Sequence, residues 1–186
     1  MEKPRYYFKD TYHHLYNRGI NRQEIFFDKK DYLFFLKRLR EYKEKYRISI
    51  LCYCLMPNHF HLFVKQLTDE YSIGKFIGDL INSYTKATNK RYNRNGFLFE
   101  SRTKSKWIEN NEYFIWLCKY ILINPVRSNI VKQPDHWEYS CAKDYYGLRN
   151  GILIDKEEIL SQFHAIEDFR LFIEENKDKF DYTIFS

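Results

Sequence analysis

Two apolar runs rich in β-branched and aromatic residues, 48–56 and 59–65, are separated only by Pro57-Asn58. This pattern predicts a strand, read as a central one, turning tightly into a second strand. The second run constrains the chain most. In a strand, His59 and His61 project from one face while Phe60, Leu62 and Val64 project from the other. The apolar set anchors one side, so the two imidazoles are held side by side on the opposite side. Two neutral imidazoles at that spacing can share one divalent metal. The plainer alternative is a pair of hydrogen-bonded histidines on a half-exposed strand. A tight turn at the end of a central strand weighs toward the metal.

Around this hairpin the chain reads as a βαββαβ order with a third helix. Residues 12–17 form a first strand closed by Arg18-Gly19. Asp28 caps a helix running to about residue 46, with Tyr32, Phe35, Leu36, Leu39 and Tyr42 at helical spacing. A second amphipathic helix spans 72–92 with the stripe Ile73, Phe76, Ile77, Leu80, Ile81 and Tyr84. Residues 93–96 turn, and 97–108 look extended, with Phe97 and Phe99 read as core. A third helix starts near Asn110 and ends by Asn124, because Pro125 disfavours helical geometry in the residue before it. Residues 126–144 read as irregular, and short helices follow in the tail. The expected fold is therefore an α+β sandwich of ferredoxin-like type, its sheet mainly antiparallel with helices packed on it.

Charge divides the chain unevenly. The 186 residues carry a net charge of +6, but residues 151–186 hold 4 basic and 9 acidic side chains, leaving +11 on the remainder. We read 1–150 as one basic domain and 151–186 as an acidic helical C-terminal extension. A basic body points to a polyanion partner, nucleic acid first. No apolar run is long enough to span a bilayer, and the N-terminus lacks a signal-peptide hydrophobic region, so no membrane partner and a cytoplasmic location are expected. The four cysteines, Cys52, Cys54, Cys118 and Cys141, lack C-x-x-C spacing and read as buried free thiols.

Two further features could carry chemistry. Tyr120 and Asn124 lie one turn apart on an otherwise apolar helix, so they share a face. A tyrosine hydroxyl there could attack phosphorus while the amide oxygen helps to hold a metal; the alternative is a core tyrosine and a helix-ending asparagine. The stretch 86–106 concentrates Lys86, Lys90, Arg91, Arg94, Arg102, Lys104 and Lys106 against the single acid Glu100, interleaved with aromatic residues. Cations grip phosphates and exposed aromatic faces stack single-stranded bases; a solvated helix face followed by a half-buried strand is the competing reading.

Taken together, Tyr12-x-His14-x3-Arg18-Gly19, Leu55-Met56-Pro57-Asn58-His59-Phe60-His61-Leu62, Gly96-Phe97-Leu98-Phe99-x2-Arg102 and Tyr120-Ile121-x2-Asn124-Pro125-Val126-Arg127 resemble the single-tyrosine transposases of the HUH endonuclease superfamily. Pro134-x2-Trp137-x-Tyr139-Ser140 makes the chain look most similar to the REP-associated tyrosine transposases. The resemblance covers about residues 10–146 and leaves the acidic extension without a counterpart. It implies a ferredoxin-like fold that cuts and rejoins single-stranded DNA, often beside a hairpin. It further implies Tyr120 as nucleophile through a 5′-phosphotyrosine, with His59, His61 and Asn124 holding Mg²⁺ or Mn²⁺. Tyr84 stands as a competing nucleophile. Arg18 joins the seven cations of 86–106 as DNA-gripping candidates. Monomer and homodimer are both open. A non-catalytic hairpin binder and a metallohydrolase of small phosphodiesters are the rival classes.

Overall fold

Strand β1 (Tyr12–Arg18) leads through a 3-10 turn (Ile20–Arg22) into helix α1 (Lys29–Tyr46). Gly19 makes this exit possible: a Cβ there would lie 2.0 Å from the Gln23 carbonyl oxygen. The computed structural model describes residues 7–109, 111–175 and 183. Asp28 caps α1 by accepting from the backbone N–H groups of Lys30 and Asp31, and Asp31 reciprocates in a capping box. Strands β2 (Ile48–Met56) and β3 (His59–Gln66) form the expected hairpin, followed by α2 (Ile73–Arg91), β4 (Lys104–Ile108) and α3 (Asn111–Arg127). The sheet order is β2-β3-β1-β4 with every neighbouring pair antiparallel, the ferredoxin-like arrangement anticipated from the sequence.

Helices α1 and α2 cover one face. Phe35 packs its ring 5.5 Å from Phe60 and 5.1 Å from Tyr84, so the apolar set of β3 meets the stripes of both helices. Helix α3 covers the other face over β2 and β3. Behind α3 pack the short helices α4 (Ala142–Tyr145), α5 (Glu157–Leu160) and α6 (Ile166–Glu174).

Four expectations need correction. Strand β2 is an edge strand, not a central one. It reads as central because all nine residues are buried, and because later chain covers its free edge. Leu55 N–H donates to Tyr139 O (2.9 Å), Cys141 N–H to Tyr53 O (3.2 Å) and Asp155 N–H to Ile50 O (2.8 Å). Helix α3 continues through Pro125 to Arg127. The proline sits in the last turns, where its missing N–H forfeits a single hydrogen bond, so Asn124 stays helical. Residues 126–144 are only partly irregular, since a 3-10 turn (Pro134–His136) and the start of α4 fall within them. Finally, only 104–108 of the 97–108 stretch forms a strand, and Phe97 is exposed while Phe99 is buried. The third helix's proposed start at residue 110 lies outside the described residues.

The extension is part of this packing as far as residue 175. Phe169, Ile159 and Ile173 are buried, Asp155 bonds Lys43 and Ser49, and Glu158 bonds Lys65 and Tyr12. Buried Lys119 of α3 donates to the Phe172 (2.5 Å) and Glu175 (2.8 Å) carbonyls at the end of α6, where a cation complements the helix dipole. All four cysteines are buried free thiols. Residues 176–182 and 184–186 of the proposed extension lie outside the described residues. No described helix is long and apolar enough to cross a membrane.

Candidate active site

Cross-strand register decides which side chains share the α3 face. Directly opposed residues point the same way, so the pairs Arg18–His59, Tyr16–His61 and His14–Phe63 stack as successive rows across β1 and β3. Lys104 and Lys106 of β4 extend the Tyr16 and His14 rows. Above them α3 lays Tyr120 with its ring 5.3 Å from that of His61. A cleft of about 690 Å³ opens here, lined among others by Tyr16, Arg18, His59, His61, Tyr120 and Asn124.

The polar contacts are specific. His59 Nε2 lies 3.1 Å from Asn124 Oδ1, and its Nδ1 lies 2.6 Å from Asn58 Oδ1. His61 Nδ1 lies 2.9 Å from Nε2 of the fully buried His14. Burial holds the pKa of His59 below the usual imidazole value, opposed by Asn124 and aided by the Arg18 charge. Burial, and then the neighbouring His14 and His59, push His61 well below it. Both rings are therefore neutral at pH 7, the protonation state in which imidazole is a ligand.

A neutral His59 has one N–H, yet both of its nitrogens face amide oxygens. One contact must then oppose two lone pairs. A cation held between His59 Nε2 and Asn124 Oδ1 would relieve this. The residues fit a divalent ion on that ground. Among the described residues, no group of three His, Cys, Asp or Glu side chains forms an alternative metal site.

The other candidates separate. Tyr84 is fully buried on the opposite face, donates to Ile25 O at 2.5 Å, and has its pKa raised by burial. Arg18 lines the cleft in an ion pair with Glu100 (2.6 Å), and Lys104 lies over the Tyr16 ring at 5.5 Å. Lys106 is exposed one row further along β4. Lys86 and Lys90 are exposed on α2, in the other layer, and Arg102 is exposed in the loop before β4. Arg94 lies over the Phe27 ring. Arg91 forks onto Asp28 and Asp31, so its charge ties the end of α2 to the cap of α1.

Three residues of this site had no role assigned from the sequence, although His14 and Asn58 stand in the motifs quoted above. His14 stacks 4.7 Å from Tyr16 and braces His61. Tyr16 puts a second tyrosine in the cleft, its pKa raised by burial and then by Tyr120. Asn58 orients His59. The signal for His14 and Tyr16 was the alternation of β1, which becomes readable only once β1 is known to lie beside β3.

An antiparallel βαββαβ sheet that meets a His-x-His strand with a tyrosine-bearing helix defines a class, the HUH-type tyrosine transposases. The chain belongs within it to the family described as "Transposase IS200 like", whose sequence profile matches residues 7–124. The fold is also similar to that of a REP-associated tyrosine transposase solved bound to a REP hairpin, with a TM-score of 0.68 at 21% identity, covering 83% of this chain and 94% of that one. A candidate transposase from Deinococcus radiodurans R1 overlaps less, with a TM-score of 0.45 at 17% identity over 65% of this chain and 95% of that one. No curated protein sequence matches.

Proposed function

We propose that this transposase cuts and rejoins single-stranded DNA beside hairpins through a covalent bond to Tyr120. The observation that carries the reading is the convergence of His59, His61, Tyr120 and Asn124 on one cleft. The hairpin that the REP-associated neighbour holds supports DNA of that shape as the partner.

His59, His61 and Asn124 would hold Mg²⁺ or Mn²⁺, which when bound neutralises charge on a non-bridging oxygen of the scissile phosphate. Tyr120 oxygen attacks phosphorus in line. The new O–P bond leaves a 5′-phosphotyrosine, the phenolic proton is lost, and the departing 3′-oxygen takes up a proton to become a hydroxyl. The reverse attack by another strand's 3′-hydroxyl rejoins DNA without ATP, because the phosphodiester energy is retained. His14 and Asn58 hold the two imidazoles in orientation. Tyr16, kept neutral by its raised pKa, walls the cleft beside Lys104. Arg18 and Lys104, both lining the cleft, would grip flanking phosphates.

The test is a denaturing gel of labelled hairpin DNA with a single-stranded flank, incubated with the protein and Mn²⁺. A covalent adduct is expected for the natural chain and for Tyr16→Phe and Tyr84→Phe, but not for Tyr120→Phe. His59→Ala and His61→Ala each reduce cleavage by roughly a thousandfold or more. An adduct persisting in Tyr120→Phe overturns the nucleophile. Tight hairpin binding with no adduct from any variant assigns the non-catalytic binder instead.

A further inference from the structure

Phe97 is 82% exposed, although the two residues after it, Leu98 and Phe99, are buried. A large apolar side chain so fully in water is usually a surface accident when the loop around it is loose. Here the backbone is pinned on both sides. Asn89 Nδ2 donates to Gly96 O at 2.9 Å, Ile20 N–H donates to Leu98 O at 3.0 Å, and Gly19 bridges Phe99. Gly96 takes a φ of +88°, which an L side chain rarely adopts, and so turns the chain just before Phe97. The ring is therefore presented by a fixed loop rather than by a mobile one.

The loop that carries Phe97 is rich in cations, and its far end, Glu100, lines the cleft. Phe99 pairs with Gly19, next to Arg18, and Glu100 both lines the cleft and neutralises itself against Arg18. Arg94, three residues before Phe97, lies over the Phe27 ring, and Arg102, five residues after it, is exposed. Asn89 ties the loop to the α2 end that bears exposed Lys90. An exposed aromatic face on a cation-rich loop that runs into a cleft suited to phosphodiester chemistry matches a nucleobase better than a protein surface.

We propose that Phe97 is a stacking platform for an unpaired base of the DNA, next to the phosphate that enters the cleft. The inference rests on the DNA-cutting reading above and adds to it a positioning contact. Because the loop is already ordered, little conformational entropy is lost when the base stacks.

The experiment uses the full chain and a hairpin oligonucleotide whose single-stranded flank carries 2-aminopurine at successive positions, without metal so that no cleavage intervenes. Affinity is read by anisotropy and stacking by quenching of the 2-aminopurine emission. One flank position is expected to be quenched by the natural chain. Phe97→Ala and Phe97→Leu should lose that quenching and bind roughly 5- to 150-fold more weakly, while Phe97→Trp restores both. Thermal melting of all three variants should match the natural chain, since the ring is outside the core. Leucine binding and quenching like phenylalanine would overturn the stacking role. So would unchanged affinity together with a change in self-association, which would make the ring a contact between copies. If the natural chain binds no hairpin, the DNA reading fails and this inference with it. If it binds and only the Phe97 variants behave as wild type, the DNA reading stands and this inference alone falls.

Discussion

The two faces of the sheet carry matched residues put to different uses. His13 and His14 are successive residues of β1, both buried, facing opposite layers. Tyr84 and Tyr120 are each borne by a helix packed on one of those layers. On the α1/α2 side, His13 bonds two hydroxyls, Ser105 Oγ and Thr11 Oγ1, and Tyr84 bonds a backbone carbonyl. On the α3 side, His14 bonds another imidazole, and Tyr120 opens onto a cleft with histidines and an amide. On the first face the histidine and the tyrosine are both satisfied within the chain. The other leaves nitrogen and oxygen lone pairs converging, an arrangement that costs stability unless something outside the chain completes it.

The largest expected effect lies on the quiet face. Burial pushes the pKa of His13 down to about 4, against roughly 6.5 in an unfolded chain. A depressed imidazole pKa means that the unfolded chain takes up the proton first. His13 therefore subtracts nothing from stability above about pH 6.5, and its penalty grows as pH falls until it levels off below about 4. The penalty reaches about 3 kcal/mol. Urea unfolding from pH 7.5 to 4 should show a shallower loss for His13→Gln than for the natural chain. Equal slopes would break the assignment of His13 as a buried neutral group.

On the other face, the matched substitution should act on metal binding. His14→Gln removes the imidazole that fixes His61 and should weaken Mn²⁺ binding about 10- to 100-fold, followed by the loss of free-ion EPR signal. His13→Gln should leave that affinity unchanged. Similar losses in both variants would mean that general destabilisation, not orientation of His61, is being measured.

The tyrosines give a smaller contrast in stability. Tyr84→Phe leaves the buried Ile25 carbonyl without its donor and should cost about 1–2 kcal/mol in a urea melt. Tyr120→Phe, which borders the cleft at 8% exposure against 0% for Tyr84, should cost less. If the costs are reversed, the roles assigned to the two faces are wrong.

How legible this was from the sequence follows from the reach of each signal. Alternation in 59–65 and the stripes of α1 and α2 are local, and they placed Phe60, Phe35 and Leu80 in the core correctly. The one-turn spacing of Tyr120 and Asn124 survived because a helix end tolerates Pro125. What failed depended on distant chain. The burial of β2 could not reveal an edge strand, because Tyr139, Cys141 and Asp155 cover it from more than eighty residues away. Phe97 and Phe99 look alike in sequence, and only the pairing of Phe99 with Gly19 separates them. The roles of His14, present in a motif, and of Tyr16 were unreadable for the same reason, since their place in the site depends on the register of β1 against β3.

The basic stretch 86–106 is the remaining place where one sequence signal spans both layers, and it yields the smallest effect. Its charges read as a single patch, yet Lys86 and Lys90 sit on α2 while Lys104 lines the cleft on the α3 face. Arg91 is neutralised by Asp28 and Asp31. A cation touching a DNA phosphate releases counterions, so its removal lowers the salt dependence of binding by about 0.7 in the log–log slope for a single strand. Lys104→Ala should therefore flatten the slope by about that amount and weaken hairpin binding severalfold at 0.1 M salt. Lys86→Ala should do less than half as much, because its charge sits on the other layer of the sheet from the cleft and is screened by solvent. Equal slopes for the two variants would show that the DNA path wraps α2 as well as the cleft. The division of labour between the faces would then hold for the chemistry but not for the grip on DNA.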